Sequence, residues 1–295
     1  MNIQNRPDTE FRKSRLADLT ERHPTLEATV IGKSMLDRDI DCFRIGEGKR
    51  SILAVGAHHG MEHITSLALY DFIEFLADKG ERGTSYLGIN IPYLLSKFSF
   101  FVVPCVNPDG VELQLSGAKE GPMYLRQLRM NGGDLDFSRW QANARGVDLN
   151  HNYAYGFAEY KRIETAEQIM PGKTRYSGEH PESEPESKAV AGLVRALAPS
   201  AVVSLHTQGE EIFSMPRTES VEKTAARLAA GIGYKHTEAR GHAAYGGLSD
   251  FCGGVLGIPS FTVELGKGEN PLPNTQLPAI SERVRRMLIL LPTYL

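Results

Sequence analysis

The sequence predicts an α/β fold: a single-domain α/β/α sandwich with a mixed, mostly parallel central sheet. Short runs rich in Val, Ile, Leu and Phe alternate with longer helical segments, as in sheets covered on both faces. No internal repeat, low-complexity tract or Ser/Gly/Pro-rich linker divides the chain. Its 295 residues, 41% of them hydrophobic, suffice for one large core, so we treat residues 1–295 as one domain.

The N-terminal part begins with helical and then strand-like patterns. Residues 9–22 are typical of a helix with a polar face, inside a helical lead-in over residues 1–30. Residues 26–46 contain two strand-like runs around a turn. The apolar run "SILAVG", residues 51–56, predicts a short buried strand.

The middle of the chain continues the alternation. Residues 62–80 predict a helix that ends at Gly80 and is apolar on most of its circumference, as expected for a helix packed on a sheet. The run "SFFVVPCV", residues 99–106, predicts another buried strand. Residues 111–145 include "GAKEGP" and "NGGDLDF", which indicate a long surface excursion.

The C-terminal part repeats the helix and strand patterns until the last residues. Its predicted elements are a helix at 182–197, a strand at 200–206, a helix at 220–233, a strand at 259–266 and a closing helix at 279–291.

Composition narrows the class of partner and the compartment. The net charge is −3 and Lys and Arg are scattered, so nucleic acid and an anionic membrane are poor partners and a small substrate is favoured. The polar N-terminus lacks the apolar centre of a secretory signal, which predicts a cytoplasmic location. Cys42, Cys105 and Cys252 are few and widely spaced, and we expect them to be packing residues.

Four side chains of interest lie at the ends of predicted strands. His59 and Glu62 follow "SILAVG", His206 closes "SAVVSLH", and Glu264 lies near the end of "PSFTVELG". Ligands of α/β folds gather at the carboxyl ends of the strands. If these strands are neighbours in the sheet, the four side chains meet in one crevice.

Two histidines and one glutamate are the protein ligands of a catalytic zinc site, and the fourth position is left to water. His59, Glu62 and His206 fit this set, and Glu264 is then free to take a proton. A competing hypothesis uses the inverted motif His-x-x-Glu-His, in which His59 and His63 bind the metal from one helix and Glu62 is the base. Gly56 and Gly60 favour a loop there, and we expect His58 to hydrogen-bond or face solvent.

The motifs resemble those of the zinc carboxypeptidases of the carboxypeptidase A type. The runs that carry the resemblance are "GAHHGMEH", "VPCVNPDGVEL", "NARGVDLNHNY", "SLHTQGEE" and "FTVELG". The resemblance implies a zinc carboxypeptidase-like fold with one zinc ion on His59, Glu62 and His206. It also implies that Glu264 is the general base and that Arg145 stabilises the oxyanion, with Arg139 as the nearby alternative.

The same resemblance implies a substrate site. Asn150 and His151 would orient the substrate carboxylate, although the classical enzymes carry Arg where this chain has His151. Tyr245, or His242 in its place, would donate a hydrogen bond from a mobile loop. Asp250 and Arg240 are two further candidates, which would bind an amine and a carboxylate of the substrate.

Two aspartates near these runs have smaller predicted roles. Asp148, in "GVDLN", would hold a ligand histidine through its second ring nitrogen. Asp109, in "NPDG", would cap a turn.

The runs "SLHTQGEEIF" and "GVDLNHNY" most resemble the bacterial branch that cleaves γ-D-glutamyl-meso-diaminopimelate bonds in cell-wall peptides. The implied substrate is a small, cell-wall-derived peptide. The alternatives are a general metallocarboxypeptidase on L-peptides, an N-acyl amino acid amidohydrolase of the aspartoacylase type, and a binding protein on the peptidase fold.

Overall fold

The computed structural model describes residues 4–295, so the first three residues of the predicted lead-in lie outside the described residues. Most of the strands form one sheet, and a separate two-stranded hairpin lies beside it. In chain order the strands are β1 (Glu27–Lys33), β2 (Asp39–Ile45), β3 (Arg50–Val55), β4 (Ser85–Tyr86), β5 (Ile89–Asn90), β6 (Phe98–Val103), β7 (Ala201–His206), β8 (Glu211–Met215), β9 (Lys235–His236) and β10 (Ser260–Glu264).

The main sheet has eight strands in the order β1-β2-β6-β3-β7-β10-β8-β9. The central strands β6, β3, β7 and β10 run parallel to one another, and β2 and β8 flank them antiparallel. This is the predicted mixed, mostly parallel sheet. Because β3, β7 and β10 are consecutive neighbours, their carboxyl ends meet at one edge, and Glu264 pairs in register with His206.

Helices cover both faces of the sheet, as the α/β/α prediction requires. The helices are α1 (Thr9–Arg22), α2 (Ile64–Glu81), α3 (Ile91–Lys97), α4 (Pro108–Ser116), α5 (Tyr124–Met130), α6 (Phe157–Ala166), α7 (Pro185–Leu197), α8 (Glu219–Ile232), α9 (Leu248–Gly254) and α10 (Leu277–Leu290). The larger apolar cluster packs α2, α8 and α10 against one face, and a second cluster packs α7 and α9 against the other.

The predicted surface excursion accounts for only part of its segment. Residues 111–145 are not a plain surface excursion, because they contain the end of α4, all of α5 and a small buried cluster. Trp140 is fully buried and packs with Phe137 in this cluster. The members of this cluster are spread along the segment from Leu113 to Ala142, so its turn-forming glycines, as local signals, do not reveal it.

Within the part of the chain that the structure describes, no helix is both long and apolar enough to cross a membrane.

Candidate metal centre and active site

The loop after β3 presents two of the predicted ligands. His59 has extended backbone angles, φ −102° and ψ 132°, and precedes a short 3₁₀ turn from Gly60 to Glu62. A Cβ atom on Gly60 would lie 2.3 Å from the carbonyl oxygen of Gly110 and 2.8 Å from that of Trp140, so only glycine fits here. This close approach seats the loop on α4 and turns Glu62 back toward His59.

The carboxylate of Glu62 lies between two imidazoles. Its Oε1 is 2.9 Å from Nδ1 of His59, and its Oε2 is 3.0 Å from Nδ1 of His206. One ligand atom from each of the three residues lies within 4.8 Å of the others. His59 and Glu62 come from the β3 loop and His206 from the end of β7, so the sheet order brings them together.

The second ring nitrogen of each histidine is also held. Nε2 of His59 is 3.0 Å from Oδ1 of Asp148, and Nε2 of His206 is 3.1 Å from Oγ of Ser204. Partners of this kind fix the orientation of a ligand imidazole and leave the other nitrogen for the metal. Two imidazole nitrogens and one carboxylate oxygen are the donor types of a catalytic zinc site, so the residues fit zinc.

The electrostatics of the cluster suit a cation. Burial alone would raise the pKa of Glu62, but the imidazoles of His59 and His206 lower it to about 2. Burial also opposes ionisation of Asp148, whereas His59 and His151 hold its pKa well below the usual range. Both carboxylates are therefore ionised at neutral pH, and their negative charge favours a divalent ion between the imidazoles.

The other two histidines of the motif lie elsewhere. Nδ1 of His63 is 2.9 Å from Oε1 of Gln114, and His63 precedes α2 and does not share a helix with His59. The structure thus lacks the continuous helix that the inverted motif needs. His58 is fully buried, stacks on His206 and has its Nε2 2.9 Å from the hydroxyl of Tyr153.

Glu264 lies beside the ligand cluster at the end of β10. Its side chain makes no hydrogen bond or ion pair with any residue that the structure describes. Burial, and then the negative charge of Glu62, raise the pKa of Glu264 above its usual range. A divalent cation on the neighbouring ligands would act in the opposite direction. The carboxylate is free to exchange a proton.

The two candidate arginines differ in their surroundings. Arg145 forms a fork with the buried Glu184, with Nε–Oε2 at 3.0 Å and Nη2–Oε1 at 2.6 Å. Arg139 pairs with Glu269 at 2.8 Å, and both of these side chains are exposed.

The Arg139–Glu269 pair joins the two segments that adjoin the ligands. The segment of Arg139 is attached to the ligand loop because the amide of Gly60 donates to the carbonyl of Gln141 at 2.9 Å. Glu269 precedes Asn270, whose Nδ2 donates to the carbonyl of Thr207, next to His206, at 2.9 Å. The ion pair therefore bridges these segments close to the metal centre.

A cavity of about 510 Å³ opens beside Glu264. Asn150 and Tyr245 line it, as the resemblance implied, but His151 is not in its lining. The His151 ring stacks on Tyr160 at 3.9 Å, and its Nδ1 lies 2.8 Å from the carbonyl oxygen of Tyr245. The structure thus places His151 under the loop, where it holds the backbone of Tyr245.

Three other predicted residues lie outside this cavity. His242 pairs with Glu167 at 3.1 Å, and Arg240 is exposed and does not line the cavity. Asp109 lies in the first turn of α4 and accepts hydrogen bonds from the amide of Leu36 and the hydroxyl of Ser34. It caps the β1–β2 turn from a distant helix.

Sequence reasoning missed three supporting residues: Ser204, Tyr153 and Asn107. The last is the N-cap of α4, and its side-chain amide donates to the carbonyl oxygens of His58, Gln141 and Ala142. The "NPDG" run carried a signal for this cap, since Asn before Pro is typical of a helix start. Nothing local marked Ser204 or Tyr153, whose partners are on other elements or lie two residues away on the same strand.

Comparisons with known proteins show the family of this chain. The chain matches the zinc carboxypeptidase family over residues 13–286. It is 30% identical over 287 residues to γ-D-glutamyl-L-diamino acid endopeptidase 1 of Lysinibacillus sphaericus, and the match covers 95% of this chain and 70% of that protein.

Solved structures show the same fold. The carboxypeptidase A of Helicoverpa armigera superposes with a TM-score of 0.75 at 17% identity, covering 100% of this chain and 74% of that one. The murein-tripeptide amidase of Escherichia coli O157 gives a TM-score of 0.56 at 22% identity, covering 90% and 91%. The family match over nearly the whole chain and the His–Glu–His cluster lead to one conclusion: this chain belongs to the zinc carboxypeptidase family and is a zinc metallopeptidase.

Proposed function

We propose that this zinc peptidase hydrolyses γ-D-glutamyl–diamino acid bonds, such as γ-D-glutamyl-meso-diaminopimelate, in small peptides from the bacterial cell wall. The observation that carries the proposal is the joint position of His59, Glu62, His206 and Glu264 at the ends of three adjacent strands, beside a charged cavity. The similarity to an endopeptidase named for such bonds supports the choice of substrate.

His59, Glu62 and His206 would hold one zinc ion through two Nδ1 atoms and a carboxylate oxygen. When bound, zinc supplies a Lewis acid that lowers the pKa of water and polarises a carbonyl. Asp148 and Ser204 keep the two imidazoles oriented for this role, at 3.0 Å and 3.1 Å from the second ring nitrogens.

Glu264 would act as the general base and then as the general acid. Its carboxylate takes a proton from the attacking water, and the same proton passes to the nitrogen of the leaving diamino acid as the amide bond breaks. The absence of a competing hydrogen bond among the described residues leaves both of its oxygens available. Glu264 lines the cavity, which supports this proton transfer to a leaving residue bound there.

Two arginines, Arg145 and Arg139, are candidates for stabilising the developing oxyanion, and their surroundings in the structure reverse the order in which we consider them. We favour Arg139 over Arg145, because Arg145 would have to leave the buried Glu184, whereas the partner of Arg139 among the described residues is the exposed Glu269. Exposed ion pairs contribute little free energy, so Arg139 is the easier of the two to move to a substrate.

Arg139→Ala is expected to lower kcat about 10²- to 10³-fold, the usual effect of losing one oxyanion donor. Arg145→Ala should lower kcat much less but reduce the free energy of unfolding by about 1–3 kcal/mol, because it leaves the buried Glu184 short of a donor. Steady-state kinetics and thermal unfolding of both variants check this. The opposite assignment of the two effects would restore Arg145 to the oxyanion role.

For substrate binding, we propose that Asn150 and Tyr245 contact the peptide and that His151 acts through Tyr245. The side-chain Oδ1 of Asn150 accepts from the amide of Leu248 at 3.2 Å. Its Nδ2 has no hydrogen-bond partner among the residues that the structure describes and can donate to a carboxylate. The Nδ1 atom of His151 is already 2.8 Å from a carbonyl, so its contribution is to position the loop.

Mass spectrometry of the products tests the function. We would incubate the zinc-loaded protein with L-Ala-γ-D-Glu-meso-diaminopimelate, with ordinary L-peptides and with N-acyl amino acids. Release of diaminopimelate is the expected result. Cleavage of L-peptides alone would indicate a general metallocarboxypeptidase, and cleavage of N-acyl amino acids alone an amidohydrolase. No cleavage of any substrate would favour a binding protein.

A further inference from the structure

The cavity beside Glu264 carries fixed charges of both signs. Its lining includes one exposed guanidinium, Arg217, and four carboxylates: Asp250 and Glu264, which are partly buried, and Glu222 and Glu238, which are exposed. Its apolar lining includes Phe213 and Met215 of β8 and Ala243, which precedes Tyr245 in the loop before α9. A cavity whose wall combines apolar side chains, carboxylates and a guanidinium suits an aliphatic side chain that ends in both an ammonium and a carboxylate.

Asp250 has one carboxylate oxygen to spare. It lies in the first turn of α9, where Oδ2 accepts from the amide of Gly247 at 3.1 Å. This is the one hydrogen bond of the Asp250 side chain among the residues that the structure describes. Capping the start of α9 uses only Oδ2, so Oδ1 remains available. Burial raises the pKa of Asp250 to about 6, against the effect of the nearby Arg217, so the ionised form gains from a further cation.

Arg217 is held loosely and can change partner. It follows β8, and its Nη1 pairs with Oε1 of Glu238 at 3.1 Å. Both side chains of this pair are at least half exposed, at 50% and 60%, so the pair contributes little free energy. The planar guanidinium has the geometry for two parallel hydrogen bonds to a substrate carboxylate.

We propose that Asp250 binds the ammonium group and Arg217 the carboxylate at the far end of a diamino-dicarboxylic acid, the residue released as the leaving amine. The inference rests on the proposed function, because it assumes that the leaving residue enters the cavity next to Glu264. It replaces Arg240, the sequence candidate for the carboxylate, with Arg217. The chain thus distinguishes diaminopimelate from lysine through Arg217 and both from neutral residues through Asp250.

The test is a set of kcat/KM values for substrates that differ only in the leaving residue. Acyl-γ-D-Glu-X is prepared with X as meso-diaminopimelate, L-lysine or L-norleucine, which carry two, one and no side-chain charges. Asp250→Asn should reduce the preference for the first two over norleucine by about 10- to 100-fold, the scale of one charge-assisted hydrogen bond. Arg217→Gln should reduce only the preference for diaminopimelate over lysine.

Controls separate recognition from structure. Arg240→Gln makes the same charge change outside the cavity lining and should leave all three ratios unchanged. Asn can still accept from the amide of Gly247, so Asp250→Asn should not lower the thermal midpoint. An equal loss of kcat/KM for all three substrates in Asp250→Asn, or for diaminopimelate and lysine in Arg217→Gln, would overturn the proposal.

The same series on α-linked N-acyl-L-Ala-X separates this inference from the proposed function. Cleavage of the α-linked set with the charge preference intact would refute the γ-D-glutamyl substrate and support the cavity assignment. Cleavage of γ-D-glutamyl bonds without a charge preference would support the γ-D-glutamyl substrate and refute the cavity assignment. Calorimetric titration with free diaminopimelate, lysine and norleucine covers the case of no turnover, and failure to bind diaminopimelate preferentially would overturn the inference.

Discussion

Glu264→Gln is expected to lower kcat about 10³-fold while the zinc content stays at the wild-type level. Glutamine keeps the shape of the side chain but cannot take a proton from water, and proton transfer by a positioned group contributes roughly 10²- to 10⁴-fold. Metal binding should persist because Glu264 is not one of the three clustered ligands. Steady-state kinetics and elemental analysis of the same preparations measure the two quantities.

Glu211→Gln is the matched control for this variant. Glu211 pairs across the sheet with Glu264, and its Oε2 accepts from the hydroxyl of Thr237 at 3.0 Å. The Glu211→Gln variant therefore removes the same charge from the neighbouring strand and leaves the carboxylate of Glu264 unchanged. Near wild-type turnover in Glu264→Gln would sink the proton-transfer role, and a large loss in Glu211→Gln would show that the local charge, and not the proton, matters.

His59→Ala and His206→Ala should each lose most of the bound zinc and with it nearly all activity. Each change removes one of three ligand atoms, so the loss of metal affinity should exceed the roughly 10- to 100-fold that follows from removing an outer partner. His63→Ala should retain zinc, because the His63 ring is bound to Gln114 and lies outside the ligand cluster. Zinc stoichiometry after dialysis is the direct measurement.

His63→Ala also serves as the control for folding. The ring is buried, and burial lowers the pKa of His63 to about 4, so the side chain is a neutral packing residue. Its loss should lower the thermal midpoint without changing the zinc content. Loss of zinc from His63→Ala, with retention in His206→Ala, would bring back the inverted-motif hypothesis.

The sequence predicted the positions of the strands that matter and the side chains at their ends. Short apolar runs identified β3, β7 and β10. His59 and Glu62 lie in the loop and turn after β3, and His206 and Glu264 are the last residues of β7 and β10. These features depend on a few adjacent residues, so local patterns reveal them. The bounds were less exact: the helix predicted at 62–80 spans Ile64–Glu81 and follows a 3₁₀ turn.

Side-chain direction could not be predicted in the same way. His151 and Arg145 are in recognisable motifs, yet His151 stacks on Tyr160 and Arg145 pairs with Glu184. Both partners are far away or on other elements, and the motif does not specify them. In residues 111–145, the turn residues likewise did not reveal the small cluster in which Trp140 is buried.

By itself, the sequence determined the α/β class, the family and the identity of the residues at the strand ends. The tertiary structure alone decided that these ends are neighbours, that Ser204 holds the imidazole of His206, and that Arg217 and Asp250 share the cavity beside Glu264. The physical reason is the separation in sequence over which each kind of interaction acts. Periodicity and turn chemistry act over a few residues, whereas strand order and the packing of side chains between layers depend on contacts between segments far apart in the chain.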